Sequence, residues 1–131
     1  MHYLPYILFA VIVLFAALQL RVLIAACRRR GTAAPAFDDL LGEGATHTRY
    51  LLYFFSPRCG PCRAMTPRID AVAAQHSNLI KVDVSERADV AQRFGVMATP
   101  TFVAVAHGRI ERMHVGTLSE KHLRALLCAS D

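Results

Sequence analysis

Cys59 and Cys62 stand three residues apart and enclose Gly60 and Pro61, and no other residues in the chain are as well spaced for covalent chemistry. Four cysteines in 131 residues are too few and too unevenly placed for a disulfide framework. The pair is therefore read as reactive, with a purely structural disulfide as the plainer alternative. Thiol–disulfide exchange runs through a mixed disulfide, so it needs an accessible thiolate and a second thiol within reach. A three-residue offset brings the two sulfurs close enough to bond, and Gly-Pro makes the intervening loop stiff and narrow. Cys59 falls where a helix begins. There, unpaired N–H groups and the helix dipole stabilise a thiolate, and Arg58 adds a neighbouring cation. Its pKa is expected to fall from about 8.5 towards 7 or lower, while Cys62, one turn into the helix, is expected to be buried and protonated. A zinc centre needs four ligands. Only Cys128 and histidines without ligand spacing are available to complete one, so neither a metal nor another cofactor is expected.

The elements that must hold this pair are legible from periodicity. Residues 49–55 (Arg-Tyr-Leu-Leu-Tyr-Phe-Phe) are continuously apolar after the Arg and predict a central strand buried on both faces. Ser56-Pro57-Arg58 ends it. A helix follows from Cys59 with Cys62, Met65, Ile69 and Val72 on one stripe, and Pro67 is expected to kink it. Residues 79–84 alternate as a strand. Residues 87–94 form a short helix stopped by Gly95. Residues 101–106 and 110–115 are strands joined at His107-Gly108. A last helix begins at Ser119, with Leu123, Leu126 and Leu127 facing inward and Cys128 expected as a small buried hydrophobe. One or two helical turns are expected at 37–41. The order β-α-β-α-β-β-α predicts an α/β domain: a mixed four-stranded sheet flanked by helices.

Phe55-Ser56-Pro57-Arg58-Cys59-Gly60-Pro61-Cys62, with Pro67, resembles the active-site strand, turn and helix of the thioredoxin family. Val96-Met97-Ala98-Thr99-Pro100-Thr101-Phe102 resembles the loop carrying that family's cis-proline. Lys81-Val82-Asp83-Val84 and Val115-Gly116-Thr117-Leu118-Ser119 match two further segments. The resemblance covers about residues 37–128. It implies that Pro100 is cis beside the disulfide, and that Thr99, Pro100 and Gly116 line the substrate site. The Thr99 backbone would pair with an extended peptide. Gly-Pro between the cysteines resembles the reducing members of the family, whose potential lies near −270 mV. Three departures accompany the likeness. The buried acid usual in the active-site strand is replaced by Tyr53, which leaves Lys81 as a candidate for proton transfer without its acid. Arg58 stands where Trp is usual. The family's first strand has no counterpart, since residues 28–36 do not read as a strand, so an exposed sheet edge is expected.

Before this domain lies a segment of different character. Residues 1–20 contain no Asp, Glu, Lys or Arg, and with 22–26 the apolar run is long enough to cross a hydrocarbon core of about 30 Å at about 1.5 Å per residue. Residues 1–27 are read as a single transmembrane anchor, 28–36 as a basic juxtamembrane tether and 37–131 as the thioredoxin-like domain. A cleaved signal peptide would want a positive n-region, which is absent. Ile24-Ala25-Ala26-Cys27 resembles the box at which bacterial lipoproteins are lipidated, but Arg21 interrupts the stretch before it. Arg21, Arg28, Arg29 and Arg30 all flank the C-terminal side. They point to a bacterial inner-membrane protein whose domain faces the cytoplasm, with the periplasm as the alternative. The net charge of +5 is concentrated here: the four Arg precede Gly31 with no Asp or Glu, and the remainder carries +1. No nucleic-acid surface is implied.

The expected function is a membrane-tethered protein-disulfide reductase with Cys59 and Cys62 as its redox pair and Arg58, Gly60 and Pro61 as its active-site loop. Its partners are protein disulfides, the bilayer, and an electron donor: a thioredoxin reductase or a transmembrane carrier. The alternatives are a non-catalytic thiol sensor or peptide-binding assembly factor, and an extracytoplasmic oxidase or isomerase.

Overall fold

Strand β1 (Arg49–Phe55) organises the domain, because its five central residues are all buried and alternate between two cores. The computed structural model describes residues 3–42 and 47–128, so the last three residues of the unit read from the sequence, 129–131, lie outside it. Leu51 and Tyr53 point to one side of the sheet, where they meet Met65, Ile69 and Val72 of helix α2 (Gly60–Ala73) and Leu123 and Leu127 of helix α4 (Glu120–Cys128). Leu52 and Phe54 point to the other side, against Val90, Ala91 and Phe94 of helix α3 (Ala88–Phe94). A strand with both faces covered cannot alternate polar and apolar, which explains its unbroken hydrophobicity.

The sheet order is β2-β1-β3-β4. Strand β2 (Leu79–Asp83) runs parallel to β1, and strands β3 (Thr101–Ala106) and β4 (Arg109–Val115) complete an antiparallel half. This is the mixed four-stranded sheet expected. Among the described residues nothing pairs with the outer edge of β2, as the missing first strand implied. The opposite edge is partly covered. The segment read as a tether docks on β4: Gly31 N donates to Ile110 O, Ile110 N to Thr32 O and Ala34 N to Gly108 O, around an antiparallel bridge between Ala33 and Arg109.

Helix α1 (Leu4–Arg28) contains an apolar stretch, Leu4–Ala25, with a mean hydropathy of 2.7 and none of it buried. It is long enough to cross a membrane, a property that membrane spans and signal sequences share. Its C-terminal end touches the domain. Gly95 caps α3 in the left-handed conformation (φ +66), and the Arg29 guanidinium lies so close that a Cβ there would meet it at 2.5 Å.

A turn of 3₁₀-helix at Asp38–Leu40 is tied to α3 by charge: Arg87 pairs with both Asp39 and Asp89, and Arg93 does the same. The Arg87 guanidinium, hydrogen-bonded to Asp89, holds that carboxyl down at about 2, against an ordinary 3.8. A depressed carboxylate stabilises the fold above its unfolded pKa and loses that contribution as pH falls through the folded one. The contribution of Asp89 is therefore expected to be complete above about pH 4 and to vanish towards pH 2. Asp89→Asn should flatten this part of the pH–stability curve between pH 4 and 2, measured by denaturant titration. An unchanged curve would mean that the pairing of Asp89 contributes nothing.

Candidate active site

All the residues singled out by motif, except Lys81, gather at one end of the sheet, where the end of β1 lies beside the start of β3. Phe54 pairs with Thr101 and Thr101 with Val115, so the turn after β1, the loop before β3 and the residue after β4 converge. Cys59 is the N-cap of α2, in extended conformation, and its sulfur accepts the Cys62 N–H at 3.2 Å. That bond engages one of the donors a helix start leaves free. Pro61 belongs in the first helical turn, where a missing N–H costs nothing. The two sulfurs are bonded, with the Cα atoms 5.2 Å apart. Cys59 is half-buried, whereas Cys62 is only 1% exposed. The pair thus divides into an approachable sulfur and a shielded one. Arg58 and Gly60 are exposed beside them.

Opposite this turn, the Thr99-Pro100 peptide is cis, as the resemblance implied. Pro100 is buried and Thr99 half-buried. Gly116 N donates to Pro100 O at 2.8 Å, and Gly116 has a φ of +108, a conformation that admits glycine far more readily than any side chain. Thr101, the buried polar residue beneath the loop, donates from Oγ1 to Ala98 O at 2.7 Å.

Tyr53 lies in the core below α2, fully buried and stacked between Phe55 and Phe102 at 5.4 and 4.9 Å. Its hydroxyl reaches towards Cys62 O at 3.5 Å, a long contact to a carbonyl that Thr66 Oγ1 already serves at 2.9 Å. Burial pushes the phenol above its ordinary value, and the Asp70 carboxylate adds to this, with Thr66 opposing. Tyr53 therefore stays protonated at neutral pH and is no substitute for a carboxylate base.

Lys81 pairs in register with Tyr53 across β1 and β2, but its ammonium is exposed. It bonds Asp70 of α2 at 2.6 Å and lies 5.7 Å from the Phe55 ring centre. Sequence reasoning missed Asp70 as the acid partner of Lys81. The signal was its place about two helical turns beyond Cys62, on the side of α2 that reaches β2. Cys128 corrects an expectation: it is exposed on α4, not buried. It follows Arg124 by one turn, so it shares that residue's outward face. Cys27 is exposed near the end of α1. Among the described residues no group of His, Cys, Asp and Glu is arranged to hold a metal ion.

The thioredoxin family model matches residues 31–129. The chain is 38% identical over 79 residues to a thioredoxin of Echinococcus granulosus, spanning 59% of this chain and 73% of that one. Thioredoxin-2 of Pyricularia oryzae is 40% identical over 101 residues, 76% of this chain, although the chain spans only 57% of that relative's length. Among solved structures, a point-mutant thioredoxin from Halobacterium salinarum superposes with a TM-score of 0.62 at 29% identity, covering 76% of this chain and 95% of that one. A Fasciola hepatica thioredoxin gives 0.57 at 28% identity, covering 72% and 86%. With its sequence matched from residue 31 to residue 129 and its fold shared with nearly the whole of a solved relative, the chain belongs to the thioredoxin family.

Proposed function

We propose that this protein is a membrane-tethered protein-disulfide reductase. The observation that carries the reading is the unequal cysteine pair at the start of α2, one sulfur accessible and held by a helix N–H, the other buried within bonding reach. In the reduced protein the Cys59 thiolate attacks a substrate disulfide. An S–S bond forms to Cys59, the substrate bond breaks, and one substrate sulfur leaves as a thiolate. Cys62 then gives up its proton and attacks Cys59, forming the Cys59–Cys62 bond and releasing the second substrate sulfur. Two electrons pass to the substrate and the pair ends oxidised.

Arg58 supplies positive charge beside the thiolate. Thr99, Pro100 and Gly116 form the edge on which an extended peptide aligns, by analogy with strand addition. Lys81, held by Asp70 on the side of β2 that faces α2, is the candidate to manage the Cys62 proton. Residues 1–27 anchor the protein, with the basic flank Arg28–Arg30 favouring a cytoplasm-facing domain in a bacterial inner membrane. Its electron donor there would be a thioredoxin reductase, and on the periplasmic side a transmembrane carrier.

Tyr53 in place of an acid is the one observation that favours a second reading, a thiol sensor or assembly factor that binds peptides without turning over. The two separate on Cys62→Ser. For a reductase, the variant stops after the first step and accumulates a Cys59–substrate mixed disulfide, visible on a non-reducing gel, with turnover lost. A variant that keeps its cellular role without Cys62 would support the sensor.

A further inference from the structure

The direction of α1 relative to the sheet has a consequence for what the protein reaches. Residues 3–21 are all exposed, and contact with the domain begins at Val22, followed by Ala25 and Arg29, which are half-buried along one helical face. Val22 lies against Met97, Thr101, Met113 and Val115, at the reactive end of the sheet. Arg29 lies lower, donating to Arg93 O and covering Gly95. Gly31 and Ala34 then pair with Ile110 and Gly108, at the opposite end of β4. The chain therefore runs down the β4 edge away from the cysteines. Traced backwards from Val22, α1 continues past the reactive end, and Leu4 lies about 27 Å further along its axis.

Leu4–Ala25 is the apolar span. About 20 residues fill a hydrocarbon core of about 30 Å, so Val22 sits at its boundary and the surface touching Val22 sits among the headgroups. Met97 occupies that surface. It is 66% exposed and is the single large hydrophobic side chain beyond α1 that the described residues leave so open. Arg21 on α1 and Arg58 beside Cys59, both exposed, suit the anionic layer at this level.

We propose that α1 holds the reactive end of the domain against the bilayer, so that the disulfides this protein reduces belong to membrane proteins and lie at the level of the lipid headgroups. This rests on the membrane-tethered reductase reading and narrows its substrate class. It holds on whichever side of the membrane the domain lies.

The test uses the oxidised full chain with Cys27→Ser and Cys128→Ser, in vesicles of phosphatidylcholine and phosphatidylglycerol. A fluorophore is attached at Met97→Cys or, at the far end of α2, at Ala74→Cys. Nitroxide-headgroup lipids should quench the label at 97 several-fold more than the label at 74. Equal quenching, or more at 74, overturns the proposal. In the second arm the unlabelled protein with Cys59 and Cys62 reduced is offered a transmembrane peptide carrying a disulfide just outside its span, or the same disulfide on a long Gly/Ser spacer, or a soluble disulfide peptide. Reduction of the close disulfide should be at least about tenfold faster than of the spaced one. A flexible insert of about 20 residues after Arg28 should erase that preference while sparing the soluble substrate. A preference that is absent, or that survives the insert, overturns the proposal. Failure on every substrate, with quenching at 97 intact, instead overturns the reductase reading, and the proposed substrate class with it. A chain that washes off the vesicles at alkaline pH overturns the tethering.

Discussion

Cys59→Ser is expected to lower disulfide reduction by at least about a thousandfold, to the level of the uncatalysed exchange. A serine hydroxyl forms no appreciable anion near neutral pH and cannot enter a mixed disulfide, so the first bond never forms. The fold should survive. Cys59 is a half-buried cap, and a serine oxygen can accept the Cys62 N–H in place of the sulfur. Activity measured with a soluble peptide disulfide and a dithiol donor, beside an unchanged thermal transition, checks this. Retained turnover would mean that the chemistry lies elsewhere in the chain.

The second large effect falls on stability rather than chemistry. Tyr53 fills the space between α2 and β3, stacked on two phenylalanines and closed to solvent. Tyr53→Ala removes the ring and leaves a cavity, at a cost of about 3–5 kcal/mol. For a domain of this size that lowers Tm by more than about 12 °C. Tyr53→Phe keeps the ring and gives up a long contact to a carbonyl that Thr66 and the helix already satisfy, together with the interaction between the phenol and the Thr66 hydroxyl. It should therefore cost less than about 1.5 kcal/mol and leave turnover within about twofold. Calorimetry and kinetics on the two variants separate packing from proton transfer. If Tyr53→Phe turns over much more slowly, the phenol takes part in proton movement, and its assignment as a packing residue is wrong.

How far the molecule could be read from its sequence follows from the range of each interaction. The unbroken apolar run of β1 and the helical stripe Cys62, Met65, Ile69 and Val72 are local patterns, and both stand in the structure as expected. Ends of elements shifted by a residue: β2 stops at Asp83, where the carboxylate turns to the Ser85 N–H, rather than at 84. The motif residues could be named, but their convergence needed the register of β1 against β3 and β3 against β4. Longer-range pairings were illegible. Asp70 meets Lys81 only because α2 crosses back over β2, and the stretch 31–34 showed no strand pattern because it makes a single bridge on an edge. The exposure of Cys128 was available in principle. Inward Leu123 and Leu127 set the stripe of α4, and Cys128 stands one residue off it, on the side of exposed Arg124.

Exposed thiols at 27 and 128 would complicate any redox titration, so both are replaced by serine for the measurement that bears most directly on the central claim. It is the reduction potential of the Cys59–Cys62 pair in the full chain, equilibrated against glutathione and dithiothreitol in detergent. A reductase predicts a value near −270 mV or below, where thioredoxin lies. A value between about −120 and −180 mV would describe a disulfide that is readily given away, and would contradict an electron donor.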